Sequence, residues 1–262
     1  MISSASKNFI SDLARFISSE WDEVVTPVDK IAESEEVPVF YDNYGGYFDG
    51  IIIYDDKFFI HINTGRGNHQ NSARGRFTLA HELGHYFIDN HRKGLKRGIL
   101  KPHGSFNFKG KDKAIEREAD YFASCLLMPE DKIQAECARV KFSFNMIENI
   151  AQKFCVSLTA AAIRFSEVGN HPIMIVFCED SVVKWKWYSE DFPFKYLAQK
   201  HPTLPEESLA FEFFQFKQRQ KGTEQLWAAD WFSCYNKEDE NRRFYEHLIP
   251  IKNRTLSVIW ED

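Results

Sequence analysis

The sequence has no CxxC pair and no even set of cysteines. Its five, Cys125, Cys137, Cys155, Cys178 and Cys234, are scattered singly. That pattern excludes the disulfide framework of a small secreted domain and leaves buried free thiols as the reading. No apolar run approaches the ~18 residues that a membrane-crossing helix requires. A basic segment leading into an unbroken apolar stretch is missing as well. Asp12 and Arg15 interrupt the apolar residues near the start, so a secretory leader is not expected and the cytoplasm is. Charge of one sign is also scarce. A formal net charge of −5 argues against broad nonspecific nucleic-acid binding, which needs a large basic surface. Internal repeats and low-complexity segments are absent.

What is present fits an ordinary globular chain of 262 residues, with 44% apolar and 27% charged residues, enough for one large domain or two smaller ones. The 24 phenylalanines read first as core filling. Asn8 to Trp21 has helical apolar spacing, with Phe9, Leu13, Phe16, Ile17 and Trp21 as its face. Val37 to Phe40 reads as a short strand, and Gly50 to Tyr54 and Phe58 to Ile62 as a hairpin around Asp55-Asp56-Lys57. A helix is expected from about Ser72 to Asn90, then a long glycine-containing basic loop from Arg92 to Lys111, then a helix from Lys113 to Met128 that Pro129 ends. Ser143 to Phe165 reads as two short helices with a turn at Cys155-Val156-Ser157, and Pro172 to Cys178, Ser181 to Tyr188, Phe244 to Ile251 and Thr255 to Trp260 as strands. The expected class is α+β. A mixed helix and small-sheet domain spans 1–142, a helix-turn-helix-like pair 143–168, and a β-rich domain 169–262, the last a sensory or substrate-recruiting candidate.

The chemical signal lies in Arg76-Phe77-Thr78-Leu79-Ala80-His81-Glu82-Leu83-Gly84-His85-Tyr86-Phe87. Histidines at i and i+4 share one helix face, so both imidazoles can address one ion. Glu82 sits about 100° around the helix from His81, placed to take a proton from water without being a ligand, as a general base must. Without a metal, two histidines and a glutamate in this apolar run would be costly to bury.

A catalytic zinc takes three protein ligands and keeps one position open. Two residues are candidates for the third. His91 has the spacing of HExxHxxGxxH, but Ile88 stands where that pattern has its turn-making glycine. On a continuous helix His91 would lie ~15 Å beyond His81 and off its face. Glu116 lies in Ala114-Ile115-Glu116-Arg117-Glu118-Ala119-Asp120. Asp120 shares its helix face and can accept a hydrogen bond from a ligand histidine's outer nitrogen. Ala119 and Ala123 leave room for another helix, and Glu118 points to a different face. His103 and the tyrosines are candidate oxyanion donors, and the strand Phe58 to Asn63 is a candidate edge for an extended substrate.

RFTLAHELGHYF, followed some thirty residues on by EREADYFASCLLMP, resembles the ImmA/IrrE family of zinc metallopeptidases. The likeness is dense from 37 to 130 and thins towards 168. It implies a zincin-like domain with zinc held by His81, His85 and Glu116, and Glu82 as base. Asp120 stands where many relatives have Asn. The Gly50 to Asn63 hairpin is similar to the strand that precedes the family's motif helix. The resemblance further implies a protein substrate, such as a helix-turn-helix repressor or antitoxin-like partner. The competing expectation is a non-cleaving DNA- or protein-binding regulator that retains the fold. In the second helix of the pair, Thr159 and Arg164 are the groups available to DNA, and the alanines beside them favour packing.

Overall fold

The computed structural model describes residues 2–100, 113–198, 204–216 and 222–262. The helices are α1 (Ser4–Ser19), α2 (Val28–Ser34), α3 (Ala73–Phe87), α4 (Asp89–Lys96), α5 (Lys113–Leu127), α6 (Glu130–Cys137), α7 (Phe144–Lys153), α8 (Leu158–Val168), α9 (Leu209–Phe216), α10 (Ala228–Trp231) and α11 (Lys237–Glu240). The strands are β1 (Val39–Asp42), β2 (Gly50–Asp55), β3 (Lys57–Asn63), β4 (Ile173–Glu179), β5 (Val182–Tyr188), β6 (Gly222–Trp227), β7 (Arg243–Ile251) and β8 (Arg254–Glu261). Two compact units result, Met1–Ile133 with Asn149–Ala160, and Gln134–Glu148 with Ala161–Asp262. The architecture is mixed α+β, with a helical core and small sheet first and a five-stranded antiparallel sheet later.

In the first unit, alternation along β3 buries Phe58, Ile60 and Ile62 on one face. The sheet order is β1-β3-β2, with β1 parallel and β2 antiparallel to β3. The hairpin turns at Asp56, with φ at 58°. Because β3 is paired on both sides, it cannot accept an extended substrate as an added strand. That expectation is corrected, and the sheet's edges are β1 and β2. Helix α1 packs on α5 through Ile10, Ala14 and Ile17, at helical spacing. Phe9 and Phe16, expected on that face, are 56% and 65% exposed. They lie about 100° around the helix from Ile10 and Ile17.

Helix α3 begins at Ser72, whose side chain accepts from the Gly75 amide. It ends earlier than expected. Ile88 is extended (ψ 111°), and α4 restarts at Asp89, so residues 92–96 are helical rather than loop. The remainder of the expected loop from Lys101 to Lys111, with His103, lies outside the described residues. No helix among the described residues is long and apolar enough to cross a membrane. In the helical pair, Cys155 turns the chain with φ at 51°. Arg164 is 1% exposed and meets Glu167 at 3.4 Å, so it is not presented to a nucleic acid.

The second unit's sheet runs β5-β4-β8-β7-β6. Phe192, Phe194, Phe213 and Trp231 fill its core with Phe232 and Phe244. Trp187, Trp227 and Phe216 stay exposed. Strand β6 and helices α6, α9, α10 and α11 had no clear periodicity, since short elements carry too few repeats.

One polar cluster fixes the start of β2 against α3. Asp49 accepts from Arg66 Nε (3.1 Å), Arg74 Nη2 (2.8 Å) and Asn68 Nδ2 (2.9 Å). Asn68, fully buried, accepts from Thr78 Oγ1 on α3 (2.8 Å) and donates to the Asn63 carbonyl (3.0 Å). Burial pushes the Asp49 carboxyl up, but hydrogen bonds from Asn68, Arg66 and Arg74 outweigh it and hold the group below its ordinary range. A depressed carboxylate stabilises the fold above its unfolded pKa and loses that contribution as pH falls through the folded value. Asp49→Asn should therefore lower stability by about 1 kcal/mol at neutral pH. The gap to the parent should close below roughly pH 4, as thermal denaturation across a pH series will read.

Candidate metal centre

His81 and His85 stand one turn apart on α3, and α5 brings a carboxylate to them. The approach is close because Gly84 faces Ala119. A Cβ on Gly84 would lie 3.2 Å from the Ala119 Cα and 3.1 Å from Phe122 Cδ1. Ala119 and Ala123 are both fully buried there, as their small size requires. The glycine inside the motif is therefore a packing residue that sets the distance between the two helices.

Across that contact, His81 Nε2 lies 3.2 Å from Glu116 Oε2 and His85 Nε2 3.3 Å from Glu116 Oε1. The two Nε2 atoms are 3.2 Å apart. One donor atom from each residue falls within 4.8 Å of the others, the only such trio of His, Cys, Asp or Glu among the described residues. Donors ~2.0–2.1 Å from a tetrahedral cation are separated by roughly 3.3 Å, which matches these spacings. All three side chains are buried, so a cation would supply the counter-charge for the desolvated carboxylate and take up the imidazole lone pairs. The residues present fit a metal of the N/O-preferring kind.

Asp120 completes the setting. His81 Nδ1–H donates to Asp120 Oδ1 at 2.9 Å, which fixes the tautomer and leaves Nε2 as a lone pair turned to the trio. Burial opposes a charged His81, yet the hydrogen bonds to Asp120 and Glu116 outweigh it and hold its pKa well above the usual imidazole value. His85 lacks that surplus, and burial first of all lowers it to about 4.

Glu82 is 2% exposed and is not one of the trio. Its neighbour is the first residue of β2. A Cβ on Gly50 would fall 2.7 Å from Glu82 Oε1 and 2.5 Å from Thr78 Cγ2, so a larger residue there would have to displace the Glu82 carboxylate or Thr78. Of the residues expected at the site, His81, His85, Glu116, Glu82 and Asp120 come together. The chain break at Ile88 also returns His91 to the neighbourhood, its ring 5.2 Å from that of His85. It adds no atom to the trio. Glu118 bonds His91 Nε2 at 3.0 Å. Gly50 and the His91–Glu118 pair were missed by sequence reasoning, the pair because Ile88 in place of a turn-making glycine pointed to a continuing helix. Asp120→Ala should leave the fold intact and weaken divalent-metal binding about 10- to 100-fold, measured by competition with a chromophoric chelator.

The family described as the IrrE N-terminal-like domain, Peptidase M78, matches residues 37–166. Metallopeptidase ImmA of Bacillus subtilis (strain 168) is 30% identical over 132 residues, covering 48% of this chain and 67% of ImmA. Among solved structures, one titled Mycobacterium tuberculosis transcriptional regulator superposes with a TM-score of 0.65 at 12% identity. That likeness covers 97% of this chain and 76% of the other, and it speaks for the fold alone.

Proposed function

The chain belongs to the IrrE N-terminal-like peptidase family, and on that footing we propose that it is a zinc-dependent endopeptidase with a zincin-like N-terminal unit. One observation carries the reading. The buried trio His81, His85 and Glu116 has a further buried carboxylate, Glu82, beside it on α3 and outside the ligand set. A structural metal site needs the trio but has no use for Glu82.

Zn2+ held by His81, His85 and Glu116 would supply Lewis acidity, polarising the scissile carbonyl and bringing the pKa of water towards ~7. Glu82 takes the proton of the attacking water and returns it to the departing amine. Asp120 keeps the proton on His81 Nδ1, so that Nε2 stays a donor to the cation. Gly50 brings the backbone of edge strand β2 against Glu82, which confines the carboxylate. The burial of Glu82, His81, His85 and Glu116 keeps bulk water from competing for the proton.

The substrate in this reading is a protein, by family likeness a helix-turn-helix repressor or an antitoxin-like partner, whose cleavage would change gene expression. The name transcriptional regulator on the structural neighbour is compatible with a place in gene control. Cytoplasmic action accords with five free cysteines. The competing reading, a non-cleaving nucleic-acid-binding regulator, would lean on α8, where Arg164 is buried with Glu167. It also leaves Glu82 without a purpose.

Glu82→Gln should abolish cleavage of a co-expressed candidate repressor, a loss of at least ~100-fold, while zinc content stays at the parent's level. Retained cleavage would remove Glu82 from the mechanism. Gly50→Ala should cut hydrolysis by roughly 100-fold through displacement of the Glu82 carboxylate, again with zinc content unchanged.

A further inference from the structure

The break at Ile88 has a structural result that the zinc trio alone does not require. Had α3 continued, His91 would have left the site along the helix axis. Instead α4 starts afresh at Asp89, and Arg92 N–H donates to the Ile88 carbonyl at 3.0 Å. The His91 ring comes to rest against that of His85, tilted by 39° with centroids 5.2 Å apart. It is 2% exposed. Its Nε2 faces Glu118 Oε2 at 3.0 Å. An ionised carboxylate only accepts, so Nε2 carries the proton and Nδ1 does not. Nδ1 is buried and has no hydrogen-bond partner among the described residues. A buried polar atom left in that state is destabilising. A leucine or phenylalanine would fill the space without that cost, so filling alone does not account for an imidazole here.

The carboxylates of α5 suggest what does. Asp120 grips His81 directly through Nδ1. Two residues earlier, Glu118 grips His91, and His91 lies on His85. We infer that His91 and Glu118 form a second imidazole–carboxylate clamp that fixes the ring orientation of His85, so that α5 orients both zinc-facing histidines, one by direct contact and one through an intermediary. This rests on the zinc reading above. His91 is a positioning residue in it, not a ligand. The clamp restricts rotation of the His85 ring before the cation arrives, which lowers the ordering cost of coordination. Since Glu118 and Glu116 share α5, any shift of α5 relative to α3 moves a ligand and the clamp of another ligand together.

The test uses the full chain, stripped by chelator and titrated with Zn2+ alone. His91→Phe keeps a ring of similar size against His85 and removes the bond to Glu118. Glu118→Gln keeps the shape and weakens the grip. Each should lower zinc affinity about 10-fold, and the double variant should fall little further than either single one, because both break the same clamp. Thermal midpoints of the stripped proteins should differ little from the parent's. In the stripped parent, long-range 1H–15N spectra should show His85 as one sharp imidazole pattern, and His91→Phe should broaden or split it. The inference is overturned if zinc affinity and the His85 pattern are unchanged in both variants. It is equally overturned if thermal stability falls while affinity does not, the behaviour of a mere packing residue. A parent that binds no zinc, with a His81→Ala control behaving identically, would instead sink the zinc reading itself.

Discussion

Everything at this site depends on how closely α3 and α5 approach. Gly84 against the Ala119 backbone sets that distance, and from it follow the reach of Glu116 to both imidazoles and of Asp120 to the outer nitrogen of His81. A methyl group at Gly84 would have to push α5 away or shift Phe122. Either movement acts on ligands drawn from different helices. A trio assembled across a helix pair is thus only as well ordered as the packing beneath it, and the full burial of Leu79, Leu83, Phe122 and Leu126 supplies that packing.

The small sheet has a comparable part. Its contribution is one backbone position, Gly50, held by the cluster of Asp49, Arg66, Asn68 and Arg74 at the entrance to α3. The cluster ties the first turns of α3 to the loop before β2, so Glu82 is confined from the strand side while the imidazoles are confined from the α5 side. Glu82 and the trio are positioned by different neighbours, which is why, in the proposed peptidase, substitutions at Gly50 and at Asp120 should separate hydrolysis from metal affinity.

The two histidines were legible in the sequence because helical spacing is local, whereas Glu116 was one of two candidates that spacing left open and the resemblance to the ImmA/IrrE family singled it out. Positions i and i+4 on α3, and i and i+4 on α5, state which side chains share a face, and Ala119 and Ala123 on α5 state that something must come close. The β2–β3 hairpin was legible for the same reason, through alternation. What stayed hidden depends on contacts distant in sequence. Gly50 reads as an ordinary strand glycine until Glu82 is seen beside it. The central place of β3 follows from its parallel pairing with β1, which no alternation pattern encodes. The chain break at Ile88 has no glycine or proline to announce it, so continuing the helix to Asn90 was the natural reading, and with it went the location of His91. Phe9 and Phe16 mislead in the opposite way, as bulky apolar residues that helix α1 leaves in solvent.

The proposed peptidase stands or falls on whether two imidazoles from α3 and a carboxylate from α5 hold one zinc. Zinc K-edge X-ray absorption on the loaded protein tests it most directly, comparing the parent with Glu116→Gln. A shell of nitrogen and oxygen at ~2.0–2.1 Å with two imidazole signatures and no sulfur is expected, and a changed or lost shell when Glu116 is replaced. A sulfur shell at ~2.3 Å, or a spectrum indifferent to Glu116, would contradict it.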